Sequence, residues 1–320
     1  MVERPFLDLA KMLQRLESTT KRNKKISIIA EFLLGLDKEE IAPAVLLTIG
    51  YIFPESLSKT LDVSGATIRK VLKTDLQVPL IPQPLTITHV RKTFDEIASA
   101  KGKGSRQLKE RLLEGLFSQV TGDLESRYLL KNIFGEMQLG VVEGIMIEAI
   151  AEAAGIEVSL VRRANMLLGD LGQVALIALT QGSSGLQKIG IDLFHPVKPM
   201  LAENALDIRS VIEEHGGLSA FEYKLDGARI QIHKKGNRVK IFSRRLTEVT
   251  GSLPEIVRLV EEKVKAEEFL VEGEVVAVGR NGKPLPFQEL MRRFKRVHAV
   301  EEAAVEIPLQ LHLFDILYLN

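Results

Sequence analysis

The first 190 residues carry apolar positions spaced three and four residues apart, which is the period of an amphipathic helix. Two such faces consist of Ile26, Ile29, Ala30, Leu33 and of Val142, Ile145, Met146, Ile150. The proline-rich stretch 78–84 interrupts the pattern and is predicted to be extended, because each proline biases the preceding residue away from helix. We therefore predict a mostly helical first domain over residues 1–190.

The pattern changes after the proline-punctuated segment His195–Met200, where apolar and polar residues begin to alternate with the period of a strand. Alternating runs on both sides of Lys235-Gly236-Asn237 predict a β-hairpin. Further strands are predicted at Phe221–Lys224, Phe269–Val278 and Leu309–Leu319, and a helix from Pro254 to about Val264. Residues 191–320 are thus expected to form an α+β domain on an antiparallel sheet.

The amino-acid composition excludes several kinds of functional site. The chain has 43 Lys and Arg against 42 Asp and Glu. It has no cysteine, and this absence excludes disulfides, thiolate zinc sites and cysteine nucleophiles. A net charge of +1 means that any polyanionic partner must be held by local basic patches. The apolar stretch Ala42–Phe53 is about half of what a bilayer span needs, and the N-terminus lacks the pattern of a signal peptide. We expect no membrane segment and a cytoplasmic protein.

One short segment concentrates reactive groups. Lys224, Asp226, Gly227 and Arg229 lie within six residues at the end of a β-prone run that also contains Glu222. A lysine amine is a nucleophile only when neutral, so burial or a cationic neighbour such as Arg229 would have to lower its pKa. The alternative is a surface turn with solvated charges.

The run Lys224–Arg229 (KLDGAR) resembles the KxDGxR signature of the covalent nucleotidyltransferases, which comprise DNA ligases, RNA ligases and mRNA capping enzymes. Three later segments resemble further elements of that family in its order: Phe242–Arg245, Val271–Val275 and Leu313–Tyr318. Leu160–Gly172 and Pro199–Ala202 resemble the helical DNA-binding domain and the entry segment of archaeal and eukaryotic replicative-type ATP-dependent DNA ligases. The resemblance implies a multidomain α and α+β protein, in which an all-helical DNA-binding domain precedes an incomplete antiparallel-sheet nucleotidyltransferase (adenylation) domain.

The resemblance also implies roles for individual residues. Lys224 would attack the α-phosphate of ATP and carry AMP, which would pass to the 5′-phosphate at a nick in duplex DNA before the strand is sealed. The nucleotide would be bound by Glu222 at the adenine, Arg229 and Arg244 at ribose or phosphates, Glu274 at ribose or Mg²⁺, and Phe314 at the base, with Asp226 and Gly227 in support. ATP and Mg²⁺ are therefore the expected cofactors.

The expected partner is nicked double-stranded DNA, in replication, repair and recombination. Candidate contacts are Lys101 and Lys103 in a glycine-containing loop, Arg162 and Arg163, and Arg292 and Arg293 in a basic run. A solvated loop or helix end is the alternative for these groups. The resemblance favours a monomer and leaves contact with a sliding clamp open.

The chain departs from the family pattern at its end. It stops at Asn320, whereas the resemblance predicts two further lysine- and glutamate-bearing elements and an OB-fold domain. We therefore expect the N-terminal portion of a longer ligase, which would not complete adenylation or ligation alone. The alternatives are a DNA-binding module without complete catalytic activity and an RNA ligase or capping-type nucleotidyltransferase.

Overall fold

The computed structural model describes residues 3–54, 57, 59–73, 84–200, 202–279, 281–294 and 300–320. Within them the chain divides into two compact units, Met1–Gly190 and Ile191–Asn320. The predicted extended stretch 78–84 falls outside the described residues except for Pro84.

The described part of the first unit is helical, as the apolar period predicts. Its helices are α1 Phe6–Glu17, α2 Arg22–Leu34, α3 Lys38–Ile49, α4 Gly65–Lys73, α5 Ile87–Ser99, α6 Ser105–Phe117, α7 Asp123–Phe134, α8 Glu143–Ala154, α9 Val158–Leu168 and α10 Leu171–Gln187. All four residues of the predicted face on α2 are buried. Val142 is an exception in the second predicted face, because it precedes α8 and is exposed. The other buried faces meet in one apolar core.

The loop between α5 and α6 turns at two glycines. Gly102 and Gly104 have φ of 82° and 86°, a region that glycine enters without a steric penalty. Lys101 and Lys103 therefore lie on a tight loop, and both side chains are exposed.

The second unit is built on a four-stranded antiparallel sheet. Its strands are β1 Ala228–Lys235, β2 Arg238–Ser243, β3 Glu268–Ala277 and β4 Leu309–Leu319, in the order β2-β1-β3-β4. Its helices are α11 Ile208–Glu214, the short 3₁₀ turn Thr250–Ser252, α12 Pro254–Lys263, α13 Phe287–Phe294 and α14 Val300–Glu306. The predicted hairpin is present, since Lys235 pairs with Arg238 across a two-residue turn.

The sheet has an apolar and a polar face because strand side chains alternate. Ile230 and Ile232 of β1 and Val271 of β3 point to a core that also contains Ile256 and Val260 of α12. The opposite face carries polar side chains from the intervening positions, and it is this face that positions the candidate site.

The predicted strand Phe221–Lys224 is wrong: these residues belong to no strand or helix. β1 begins only at Ala228, which lies opposite Val275. Residues with high β-propensity form a strand only where they pair with a neighbouring strand. Among the described residues, Phe221–Lys224 have no such neighbour.

Candidate active site

Strand register brings together residues that are far apart in the sequence. Arg229 of β1 lies opposite Glu274 of β3, and Glu274 lies opposite His312 of β4. One position along, Ile230 pairs with Ser243, so that Arg244 follows directly at the end of β2. The other three sequence motifs therefore lie beside the KLDGAR segment at the same end of the sheet.

Gly227 fixes the path of the chain that carries Lys224. A Cβ atom added at Gly227 would collide with the carbonyl oxygen of Val275 and would lie 2.8 Å from Cγ of Glu274. Only glycine allows the backbone to lie this close to β3. The backbone N–H of Gly227 also hydrogen-bonds the Glu274 carboxylate. This close approach carries the preceding residues, including Lys224, to the polar face of the sheet.

These elements surround a cavity of about 1230 Å³. Its lining contains seven of the eight nucleotide-site residues that the sequence indicated: Glu222, Lys224, Gly227, Arg229, Arg244, Glu274 and Phe314. Asp226 is the eighth; it is exposed and does not line the cavity. The volume is large enough for a nucleotide-sized ligand.

The charged side chains that line the cavity are predominantly positive. Burial raises the pKa of Glu274, whereas the hydrogen bond from Gly227 and the charges of Lys224, Arg229 and Arg244 act to lower it. Lys224 itself is exposed, so it does not have the buried position that is one way to activate its amine. The lining has four cationic side chains, Lys224, Arg229, Arg244 and Arg245, against the two carboxylates Glu222 and Glu274, and this excess of positive charge suits an anionic ligand such as a polyphosphate.

Arg229 lies between an aromatic ring and a buried acid. Its guanidinium carbon is 5.8 Å from the ring centroid of Phe314, and Nη2 donates to Oε2 of Glu272. Glu272 is 3% exposed and does not line the cavity. It therefore holds Arg229 from behind, on the same face of β3 as Glu274.

Several cavity residues were not indicated by the sequence as nucleotide contacts. Two of them, His312 and Arg245, can carry a positive charge or donate hydrogen bonds. The remaining lining residues of this kind are Met200, Ala202, Tyr223, Leu225, Ala228, Ser243, Phe287, Met291, Phe294 and Leu313. Phe287, Met291 and Phe294 lie in none of the sequence motifs, because helix α13 reaches the cavity only through the fold.

The basic DNA-contact candidates differ in their surroundings. Arg162 and Arg163 on α9 are exposed, and Arg163 donates to the carbonyl oxygen of Ile189 at 3.0 Å. Arg292 is exposed and pairs with Glu289 at 2.6 Å. Arg293 is fully buried, so its assignment as a DNA contact is wrong: its guanidinium binds Glu255 and the carbonyl oxygen of Val300 inside the unit.

The buried residue His233 holds the start of the second unit against the sheet through a hydrogen bond. The N–H of Phe194 donates to Nδ1 of His233 at 2.9 Å, and the guanidinium of Arg238 lies 4.5 Å from the Phe194 ring centroid. Burial, with a smaller contribution from the charge of His195, lowers the pKa of His233 to about 4. His233 is therefore neutral at neutral pH and has a structural role.

Comparison with known proteins identifies both units. A family model described as "DNA ligase N terminus" matches residues 5–80 and 64–151, and a model described as "ATP dependent DNA ligase domain" matches residues 199–320. The chain is 39% identical to a DNA ligase of Thermococcus fumicolans, over 98% of its own length and 61% of the relative. It is 38% identical to a DNA ligase of Archaeoglobus fulgidus, over 98% of its length and 61% of the relative.

A solved structure described as "Pmar-Lig_Pre." has the same fold, with a TM-score of 0.51 and 17% identity over 96% of this chain and 56% of that one. The two units are thus a ligase N-terminal domain and an adenylation-type domain. The chain belongs to the ATP-dependent DNA ligase family, and it spans about three fifths of the length of the curated relatives it matches.

Among the described residues, no helix has the length and apolar character needed to cross a membrane.

Proposed function

We propose that this chain supplies the DNA-binding and nucleotide-binding portion of an ATP-dependent DNA ligase, with Lys224 as the residue that accepts AMP. The observation that carries the proposal is the single cavity that unites Lys224 with Glu222, Arg229, Glu274 and Phe314. These residues come from motifs spread between Glu222 and Phe314, and strand pairing brings them to one cavity with the charged and aromatic groups that a nucleotide needs.

In the proposed reaction, Nζ of Lys224 attacks the α-phosphorus of ATP. A P–N bond forms, the bond between the α-phosphorus and the bridging oxygen breaks, pyrophosphate leaves, and the amine gives up a proton. Arg229 and Arg244 stabilise negative charge on the phosphates, and the exposed ring of Phe314 stacks on the base. In the complete protein the AMP would pass to the 5′-phosphate at a nick, where the 3′-hydroxyl displaces it.

Mg²⁺ fits this cavity only together with the nucleotide. The described residues contain no group of three or more acidic or histidine side chains that could hold a metal by themselves. Glu222 and Glu274 are the carboxylates in the cavity lining, and Mg²⁺ is commonly held by one or two carboxylates plus substrate phosphates. Bound there, the ion would supply positive charge for the phosphates.

The test is covalent labelling of the 320-residue chain with ATP radiolabelled in the α-phosphate, in the presence of Mg²⁺. Because one cavity already unites Lys224 with the nucleotide-site residues, we expect this chain to be labelled, in contrast to the sequence-based expectation that it would not complete adenylation alone. The label should be acid-labile and should disappear in Lys224→Ala and on addition of EDTA. It should persist in Lys283→Ala, which removes an exposed lysine outside the cavity. ATP labelled in the γ-phosphate should give no label, because AMP and not phosphate is transferred.

The second candidate is a DNA-binding module whose nucleotide half does not react. It is favoured by the exposure of Lys224, which lacks the buried position that can activate an amine nucleophile. Absence of label, together with salt-sensitive binding to nicked duplex DNA, would support this candidate and contradict the first. Labelling by GTP in preference to ATP would instead indicate a capping-type enzyme.

A further inference from the structure

A continuous set of hydrogen bonds leads from the backbone of Val197 to the nucleotide cavity. The N–H of Val197 donates to Oε1 of Gln231 at 2.9 Å, and Nε2 of Gln231 donates to the carbonyl oxygen of Val197 at 2.5 Å. Nε2 of Gln231 also donates to Oε1 of Glu272 at 2.8 Å. The other oxygen of Glu272 accepts from Arg229, so one side chain connects to the next without a gap.

The two middle residues of this chain are removed from water. Gln231 is 4% exposed and Glu272 is 3% exposed, and they lie directly opposite each other on β1 and β3. Burying a carboxylate is strongly unfavourable unless its oxygens are hydrogen-bonded and its charge is paired. Both oxygens of Glu272 have partners here, and one partner is the cation Arg229. All of these hydrogen bonds therefore form only when Val197, Gln231, Glu272 and Arg229 keep their positions.

Arg229 is the member of the chain that reaches the cavity. A guanidinium is planar, so fixing one of its nitrogens against Glu272 sets the orientation of the whole group. The group then lies 5.8 Å from the Phe314 ring and lines the cavity beside Glu274. Moving Glu272 would rotate Arg229 relative to any nucleotide bound there.

From this geometry we infer that Gln231 and Glu272 are positioning residues, which couple the docking of the backbone at Val197 to the orientation of Arg229 toward the nucleotide. The inference rests on the proposed function, since it concerns the same cavity. It adds that neither residue touches the nucleotide and that both act only through Arg229. Loosening Val197 from the sheet should therefore weaken nucleotide binding.

A double-mutant cycle separates this role from a general structural one. The affinity of the 320-residue chain for α,β-methylene-ATP is measured by calorimetry with Mg²⁺, since this analogue cannot transfer AMP. We expect Glu272→Gln and Gln231→Leu each to raise Kd by about tenfold, but by less than about twofold when Arg229→Ala is already present. Glu272→Asp, which keeps the charge and shortens the reach, serves as a second variant in case Glu272→Gln does not fold.

Matched controls come from the same sheet. Glu268→Gln removes an acid of β3 that pairs with Lys235 of β1 at 3.0 Å outside the cavity. Gln310→Leu repeats the amide replacement at an exposed position of β4. Both should leave Kd within about twofold of the unsubstituted chain, because neither side chain is linked to Arg229.

The outcomes of the double-mutant cycle distinguish failure of the positioning role from failure of the nucleotide site. If the unsubstituted chain binds the analogue and the substitutions cost the same factor with and without Arg229, the positioning role is overturned and the nucleotide site stands. An equal loss in the control variants would overturn the role in the same way. If the unsubstituted chain does not bind the analogue at all, the proposed nucleotide site fails, and the inference falls with it.

Discussion

Among individual residues, Arg293 shows how strongly the fold decides what a charge can do. It lies in a basic run of the sequence, beside Arg292, and the two would be interchangeable on an exposed helix end. Instead Arg292 is exposed, while Arg293 is fully buried against Glu255 and the carbonyl oxygen of Val300. The helix places adjacent side chains about 100° apart, so one faces solvent and the next faces the core.

This difference predicts opposite consequences for the two arginines. Arg293→Met leaves Glu255 without its buried partner, and we expect the free energy of unfolding to fall by about 3 kcal/mol. Arg292→Met removes an exposed pair and should cost less than about 1 kcal/mol. Urea unfolding of both variants measures the difference. Equal losses of stability in the two variants would contradict a buried structural role for Arg293. A specific loss of DNA affinity in folded Arg293→Met would indicate that Arg293 contacts DNA.

At the level of secondary-structure elements, the segment before β1 is held to the sheet by a neutral histidine. Phe194 has a φ of 74°, a conformation that costs a non-glycine residue about 1–3 kcal/mol. Its N–H donates to Nδ1 of His233, which can accept only while that nitrogen is unprotonated. Protonating His233 at this atom would break the bond that offsets the strained turn.

The stability of the second unit should therefore depend on pH through His233. The pKa of this group falls from 6.5 to about 4 on folding, so its contribution is present above pH 6.5 and is lost as the pH decreases toward 4. Between pH 7 and pH 5 this lost contribution is about 2 kcal/mol. Urea unfolding at the two pH values should show that loss in the unsubstituted chain but not in His233→Asn, which keeps an acceptor and does not titrate. The same pH dependence in both proteins would exclude His233 as its source.

The same elements show what the sequence could and could not predict. Alternation and turn residues predicted the hairpin, and β4 spans the predicted residues Leu309–Leu319, because apolar period and loop chemistry are local properties. The strand at Phe221–Lys224 was wrong because pairing is not local. The motifs predicted which residues line the cavity, but not that Gln231 and Glu272 are buried behind it. That burial depends on Val197 covering the polar face of the sheet, which no pattern around Gln231 records.

For the molecule as a whole, charge is nearly balanced, and many cations of the first unit are already neutralised by neighbours. Lys131 donates to Glu17 at 2.7 Å and Lys59 donates to Asp95 at 2.5 Å. Lys101 and Lys103 instead project from the exposed α5–α6 loop. A net charge of +1 gives no long-range attraction to DNA, so the proposed binding must come from such local groups through release of counterions.

Replacing Lys101 and Lys103 by alanine together should therefore weaken binding to nicked duplex DNA and change its salt dependence. Each lysine that neutralises a phosphate contributes about one unit to the slope of log K against log salt, so the double variant should lose about two. The matched double variant Lys59→Ala with Lys131→Ala removes the same charge from groups already paired, and its slope should stay unchanged. Fluorescence anisotropy of labelled nicked DNA across a salt series measures both slopes. Equal reductions in the two variants would show that total charge, and not the position of the α5–α6 loop, controls binding.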